Sequence, residues 1–122
     1  MKELSPQMQN QIAQYQQIQQ QLQVLASQRV QLEAKVREID STLEELGKIG
    51  PDTTVYKSIG TILVRADDRD AVKKELEEHK ETISIRVRTI QKQEKSLGDR
   101  FEQLQQKISE ALGGEPAKGE ES

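Results

Sequence analysis

The sequence predicts a mainly α protein, a long antiparallel two-helix coiled coil joined by one β-hairpin. Two long segments carry apolar residues at alternating steps of three and four, the spacing of a coiled-coil seam. A short run of β-branched residues separates them. The 122 residues are 33% hydrophobic and include only two Tyr and one Phe. This is too little apolar volume for a compact core, so a thin, elongated fold is favoured over a globule.

The first helix is predicted to begin at Ser5-Pro6, because Ser caps helix N-termini and Pro is tolerated at the first helical position. Ten of the twelve seam positions that follow are apolar, and Gly47 and Gly50-Pro51 should end the helix. The seam positions are Met8, Gln11, Tyr15, Ile18, Leu22, Leu25, Arg29, Leu32, Val36, Ile39, Leu43 and Leu46.

The second helix is predicted to begin after an N-cap at Asp67 or Asp68 and to end at Gly113-Gly114. Its seam is Ile83, Val87, Ile90, Glu94, Leu97, Phe101, Leu104, Ile108 and Ala111, preceded by Val72, Leu76 and His79. Arg29 and Glu94 are the charged seam positions. Each could set the register or extend its charge into water, and a direct pair between them would require a register that the sequence leaves open.

The intervening segment predicts a β-hairpin with its turn around Ser58–Gly60. A lone two-stranded hairpin is marginal in water, and this one has no second layer to cover it, so we expect an oligomer whose hairpins share a sheet or barrel. The predicted parts are residues 1–46 for the first helix, 47–68 for the hairpin, 69–112 for the second helix and 113–122 for a flexible acidic tail. The assembly residues would be Val55, Tyr56, Ile59, Gly60, Ile62, Leu63 and Val64.

The opposite end of the predicted rod, where both termini would meet, has a different composition. The 25 residues from Leu4 to Gln28 contain no charge, and eleven of them are Gln. Apolar residues also occur outside the seam there, and exposed apolar surface commonly marks an interaction site. For the seam members, ordinary packing competes with a binding role. The candidate binding residues are Leu4, Met8, Ile12, Ile108 and Leu112.

Several functional classes are disfavoured by composition. The net charge of −3 argues against a nucleic-acid partner, and no run of about 18 apolar residues could cross a membrane. The chain has no Cys and one His, so no metal site, cofactor motif or nucleophile–base pair is predicted, and enzyme activity is not expected. We expect a cytoplasmic protein, with His79 in a structural role.

The residues from Gln7 to Leu112 resemble a beta-class prefoldin subunit of the archaeal type. The most specific part of the likeness is Val55-Tyr56-Lys57-Ser58-Ile59-Gly60-Thr61-Ile62-Leu63-Val64, with the Gln-rich first helix beside it. An alpha-class subunit would need two hairpins, and this chain has room for one.

The resemblance implies an ATP-independent chaperone. It implies a hexamer of two alpha and four beta subunits, assembled through β-barrels, whose coiled-coil tips hold unfolded polypeptides and deliver them to a group II chaperonin. The acidic tail would be a possible chaperonin contact. The alternative from the residues alone is a structural coiled-coil tether or assembly scaffold that holds no clients.

Overall fold

The computed structural model describes residues 4–113, so the acidic tail lies outside the described residues. Its elements are α1 (Pro6–Lys48), β1 (Val55–Ile59), β2 (Ile62–Ala66) and α2 (Arg69–Leu112). Two long helices and one hairpin confirm the predicted fold class. The described chain forms two compact units. The helical unit comprises residues 4–29 and 89–113, and the hairpin unit comprises residues 30–88.

Both helices begin with the predicted kind of cap. The Ser5 hydroxyl Oγ accepts a hydrogen bond from the backbone N–H of Met8 at 3.0 Å, and the Asp68 carboxylate accepts one from Ala71 N–H at 3.1 Å. These bonds satisfy N–H groups that the first helical turn leaves without a partner. Helix α1 ends at Lys48, one residue beyond the predicted stop at Gly47.

The helical unit is an antiparallel pair with a narrow apolar seam. The rings of Tyr15 and Phe101 stack with centroids 4.4 Å apart, while Arg29 lies against Glu94. Advancing along α1 therefore means going back along α2. The buried apolar residues of this unit are Met8, Ile18, Ile90 and Leu104, all at predicted seam positions.

The core of the hairpin unit is formed by Ile39, Ile83 and Val87, against which four partly buried seam residues pack: Leu32, Val36, Leu43 and Leu76. The prediction that His79 occupies the seam is wrong, because its side chain is exposed. The neighbouring Lys80 is half-buried and occupies the seam position instead. Its Nζ lies 2.6 Å from Asp40 Oδ1 on α1. The predicted seam residue Ala111, in the helical unit, is also exposed.

Strands β1 and β2 pair antiparallel from Val55 opposite Ala66 to Ile59 opposite Ile62. The connecting residues are Gly60 and Thr61, so the turn is one to two residues later than the predicted Ser58–Gly60. Gly60 has φ of 60°, and no non-Gly residue described has positive φ. This is the pattern of a type II′ turn, whose twist matches that of the strands.

Arg69, the first residue of α2, connects the hairpin to the helices. Its guanidinium donates hydrogen bonds to the backbone carbonyls of Gly50 at 2.7 Å, Thr53 at 3.1 Å and Ile49 at 3.4 Å. A cation close to the C-terminus of α1 also interacts favourably with the negative end of that helix's dipole. On β1, the Lys57 amine contacts the Glu75 carboxylate of α2 at 2.7 Å. Two cationic side chains thus hold the hairpin in place.

Candidate functional site

The hairpin exposes most of its apolar side chains. Leu63 is 71% exposed and Tyr56 60%, and three further large apolar residues of the two strands are also exposed: Ile59, Ile62 and Val64. Fully burying one such side chain is worth about 1.5–3 kcal/mol. The hairpin therefore exposes a large apolar surface that association with another molecule would bury.

Register divides these residues between two faces, because opposite residues of an antiparallel pair point the same way. Val55, Lys57, Ile59 and their partners Ala66, Val64 and Ile62 share one face. Tyr56, Ser58, Leu63 and Arg65 share the other. The first face is half-buried only at Val55, Lys57 and Ala66, all farther from the turn than Ile59 and Ile62. Both faces are thus largely open to solvent.

The strands also have unpaired backbone. The sheet of the described residues contains two strands only, so β1 and β2 each pair along one edge. The other edge of each strand presents N–H and C=O groups that can pair with a further strand. Exposed apolar faces and free edges together make the hairpin suited to extension by strands of other subunits.

A groove of about 770 Å³ runs between β1 and the helical segments of the hairpin unit. Its apolar lining includes Leu46 in the last turn of α1, Ile49 just after that helix, and Val72 and Leu76 near the start of α2. Tyr56 and His79 border it, so the groove is continuous with the exposed hairpin face. It widens the apolar surface available to a partner of the hairpin.

The five candidate binding residues all belong to the helical unit, and we call them the terminal cluster: Leu4, Met8, Ile12, Ile108 and Leu112. Leu112 is 59% exposed and Leu4 is also exposed. Ile12 and Ile108 are half-buried, whereas Met8 is only 8% exposed and belongs to the seam. Met8 and Ala111 line one groove, which brings the first turn of α1 next to the last turn of α2.

Another apolar surface of the helical unit was not anticipated from the sequence. A groove of about 650 Å³ is lined by Val24, Leu25, Leu97, Ser96 and five glutamines, with no charged residue. Val24 is more than half exposed. A signal was present, since Val24 is an apolar residue outside the heptad seam within the uncharged stretch of α1.

The open question of Arg29 and Glu94 is settled by a direct contact. Arg29 Nε donates a hydrogen bond to Glu94 Oε1 at 2.7 Å, and the side chains are 28% and 19% exposed. A half-buried, charge-assisted hydrogen bond between facing helices favours one register over its neighbours.

No group of three or more His, Cys, Asp or Glu residues that could hold a metal occurs within residues 4–113. Across the same residues, no helix has the length and apolar character needed to cross a membrane.

Antiparallel helices that carry an exposed hairpin with unpaired strand edges define a class of coiled-coil proteins suited to assembly. The comparisons with known proteins narrow this class. The family model described as "Prefoldin subunit" matches residues 9–115. The chain is 50% identical to prefoldin subunit beta of Archaeoglobus fulgidus over 112 residues, covering 92% of this chain and 96% of the relative. It is 47% identical to that of Methanosarcina acetivorans, covering 91% and 94%.

The solved structures agree with this. The crystal structure of the prefoldin beta subunit from Thermococcus strain KS-1 is similar, with a TM-score of 0.83 at 32% identity, covering 93% of this chain and 98% of that one. The chain belongs to the prefoldin subunit family, a chaperone family and not an enzyme class, whose subunits form hetero-oligomers with one another. The likeness to the beta class, based on the single hairpin, is confirmed.

Proposed function

We propose that this chain is a beta-class subunit of an ATP-independent holdase, which captures unfolded polypeptides at its coiled-coil tips and delivers them to a group II chaperonin. Its partners would be alpha-class and other beta subunits, in a hexamer of two alpha and four beta chains. The exposed hairpin carries this proposal. Five large apolar side chains on a two-stranded sheet are otherwise left in water.

Assembly is the step that the hairpin supports. Strands from neighbouring subunits would pair with the free edges of β1 and β2 and bury Tyr56, Leu63 and Ile62, closing the sheets into a barrel. Barrel closure removes strand edges altogether. The groove beside β1 adds apolar area to the same interface.

Client capture is assigned to the terminal cluster. Leu4 and Leu112 offer exposed apolar side chains, and Ile12 and Ile108 are half-buried. Each tip would bind weakly, but several tips on one platform raise avidity by about 10²–10⁴-fold. Flexible Leu side chains among uncharged amides suit clients of varied sequence.

Release needs no nucleotide, because weak contacts at separate tips dissociate one at a time and a chaperonin competes for the same apolar client segments. A cytoplasmic location belongs to the proposal, since the client must be passed directly to the chaperonin.

The test is aggregation of a chemically denatured client, diluted into buffer without ATP, with this chain alone, its alpha-class partner alone, or both. We expect the assembled complex to suppress light scattering at near-stoichiometric ratio. Native mass spectrometry of the same samples reports assembly. Unchanged aggregation in the presence of an intact complex would refute the holdase.

Truncated chains separate the two roles. Removing residues 1–12 together with 108–122 should weaken capture and leave the complex assembled, because the hairpin is untouched. If the intact complex ignores unfolded clients and binds one folded partner instead, the tether or scaffold is the correct function.

A further inference from the structure

The two free edges of the hairpin differ in what lies beside them. The groove of about 770 Å³ is lined by the consecutive residues 53–58 and by no residue of β2. Side chains alternate between the two faces of a strand, so a lining of consecutive residues places the groove along the edge of β1 rather than under one face. Four of the five residues of β2, by contrast, are exposed. The edge of β1 is therefore backed by a groove to which β2 contributes nothing.

The backbone of β1 directs unpaired groups toward this edge. The two-residue turn makes Ile59 and Ile62 a hydrogen-bonded pair, and such pairs alternate with open pairs along an antiparallel ladder. Tyr56 and Ser58 belong to open pairs, so their N–H and C=O groups point away from β2. No backbone group outside the ladder bonds to them within residues 4–113. An extended strand lying in the groove could take up all four groups.

The opposite wall of the groove is apolar. On β1 the face that carries Val55 and Lys57 is the one turned toward the helices, because Lys57 reaches Glu75 on α2. Adjacent strands of a sheet align the side chains of one face. Every second side chain of an added strand would therefore lie against the apolar wall. This wall consists of four half-buried residues: Leu46, Ile49, Val72 and Leu76.

The chain has two strands that could enter the groove of a second copy, and their helix-facing side chains differ. β1 would place Lys57 against the apolar wall, and a buried ammonium is costly unless it is paired. The carboxylates that line the groove are Glu45 and Glu75, and each already has a lysine of its own chain beside it. β2 would present apolar side chains alone: Ile62, Val64 and Ala66. The apolar wall therefore favours β2 as the occupant.

We propose that the β1 edge and its groove receive strand β2 of a second copy of this chain, so that the hairpins join head to tail. The backbone of Tyr56 and Ser58 pairs with the incoming strand, whose Ile62 and Val64 pack against the helix wall. This inference rests on the proposed assembly through hairpins and gives it a direction, since each copy accepts on β1 and donates on β2. Head-to-tail contacts form a ring when their rotation closes, as a barrel requires.

Introduced cysteines test the order of the strands, because the chain has no Cys of its own. Ser58→Cys chains are mixed with Leu63→Cys or Arg65→Cys chains, assembled with the alpha-class partner and mildly oxidised. The three positions share the outer face of the hairpin, and the two on β2 cover two registers. We expect disulfides between β1 and β2 variants and none between two Ser58→Cys chains. Disulfides between two Ser58→Cys chains alone would overturn the proposal.

Alkylation tests whether a strand covers the groove. Thr42 lines the groove and Thr82 lies elsewhere, on α2. Both are exposed, and each hydroxyl donates a hydrogen bond to the carbonyl oxygen four residues earlier. On assembly, Thr42→Cys should lose most of its reactivity with iodoacetamide, while the matched control Thr82→Cys keeps it. Unchanged reactivity of Thr42→Cys in an intact complex would overturn the groove contact and leave hairpin assembly standing.

The remaining outcomes identify other occupants. If Thr42→Cys is protected but Ser58→Cys forms no disulfide with either β2 variant, the strand in the groove comes from the alpha-class partner. If protection appears only after a denatured client is added, the occupant is a client segment. Either result overturns the second copy as the occupant. If native mass spectrometry finds no complex of the unsubstituted chains, this proposal and the proposed function both fail.

Discussion

The hairpin and the terminal cluster both expose apolar side chains, but they differ in rigidity and in the polar groups around them. On the hairpin, β-branched Ile and Val sit on a paired backbone with free edges, and the ion pair of Lys57 with Glu75 holds the strand. The terminal cluster consists of Leu, Met and Ile at helix ends, beside a stretch of α1 without charge.

The two surfaces therefore suit different kinds of partner. Backbone hydrogen bonds have direction and fixed spacing, so the hairpin would select strands of matching register. Flexible side chains among amides impose no register and no charge pattern, so they would accept many sequences. Under the proposed function, exposed apolar area would serve specific assembly at one surface and permissive binding at the other.

The largest effect should come from charging the hairpin. Ile62→Asp with Val64→Asp should abolish assembly, because two carboxylates would be buried in an apolar interface at a cost of several kcal/mol. Both side chains are exposed in the single chain, so helicity by circular dichroism should persist. Ile85→Asp, an equally exposed site on α2, is the control. If native mass spectrometry shows that the double variant still assembles, the hairpin is not part of the interface.

Two glycines should respond with opposite signs. Gly60→Ala forces an L side chain to φ of 60° and should lower the free energy of unfolding by about 1–2 kcal/mol. Gly98→Ala, inside α2 with no atom within 4 Å of the added Cβ, should raise it by about 1 kcal/mol. Urea titrations of both assembled variants measure this. Equal shifts would mean that the turn imposes no backbone requirement.

Replacing exposed leucines of the terminal cluster with serine should weaken client capture while assembly persists. Leu4→Ser with Leu112→Ser removes the two most exposed members, and we expect a rise in apparent Kd of about three- to tenfold for a denatured client. The matched control is Val30→Ser, an exposed apolar residue of the hairpin unit. An equal loss in the control would mean that capture is not confined to the terminal cluster.

The smallest effect concerns register. Arg29→Gln and Glu94→Gln should each cost about 1 kcal/mol, and a double-mutant cycle should give a coupling of about 0.5–1 kcal/mol. The exchange Arg29→Glu with Glu94→Arg should recover part of the loss. Thermal unfolding at low and high salt measures these values, and zero coupling would show that the contact does not set the register.

The helix caps and most of the seam could be predicted from the sequence, because each depends on residues within a few turns. Ser5 and Asp68 act locally, and the three-and-four spacing of apolar residues determines a stripe within one helix. The hairpin followed in the same way from β-branched runs around Gly60.

Side-chain contacts that depend on the relative position of two elements could not be predicted. The choice of Lys80 over His79 at the seam depends on Asp40, which lies on the other helix. The contact of Arg29 with Glu94 depends on how far one helix slides along the other, and neither heptad pattern contains that information. A polar groove lined by Gln11 of α1 and by Arg100 and Lys107 of α2 arises in the same way.

The hydrogen bonds of Arg69 affect which substitutions the linker between α1 and β1 can tolerate. Its three hydrogen bonds in the linker all go to main-chain oxygens, of Ile49, Gly50 and Thr53. Every amino acid carries such an oxygen, so substitution of the linker side chains should leave the connection made by this one guanidinium in place. Mutational tolerance in this corner of the molecule should therefore be broad at the three acceptors and narrow at the single donor.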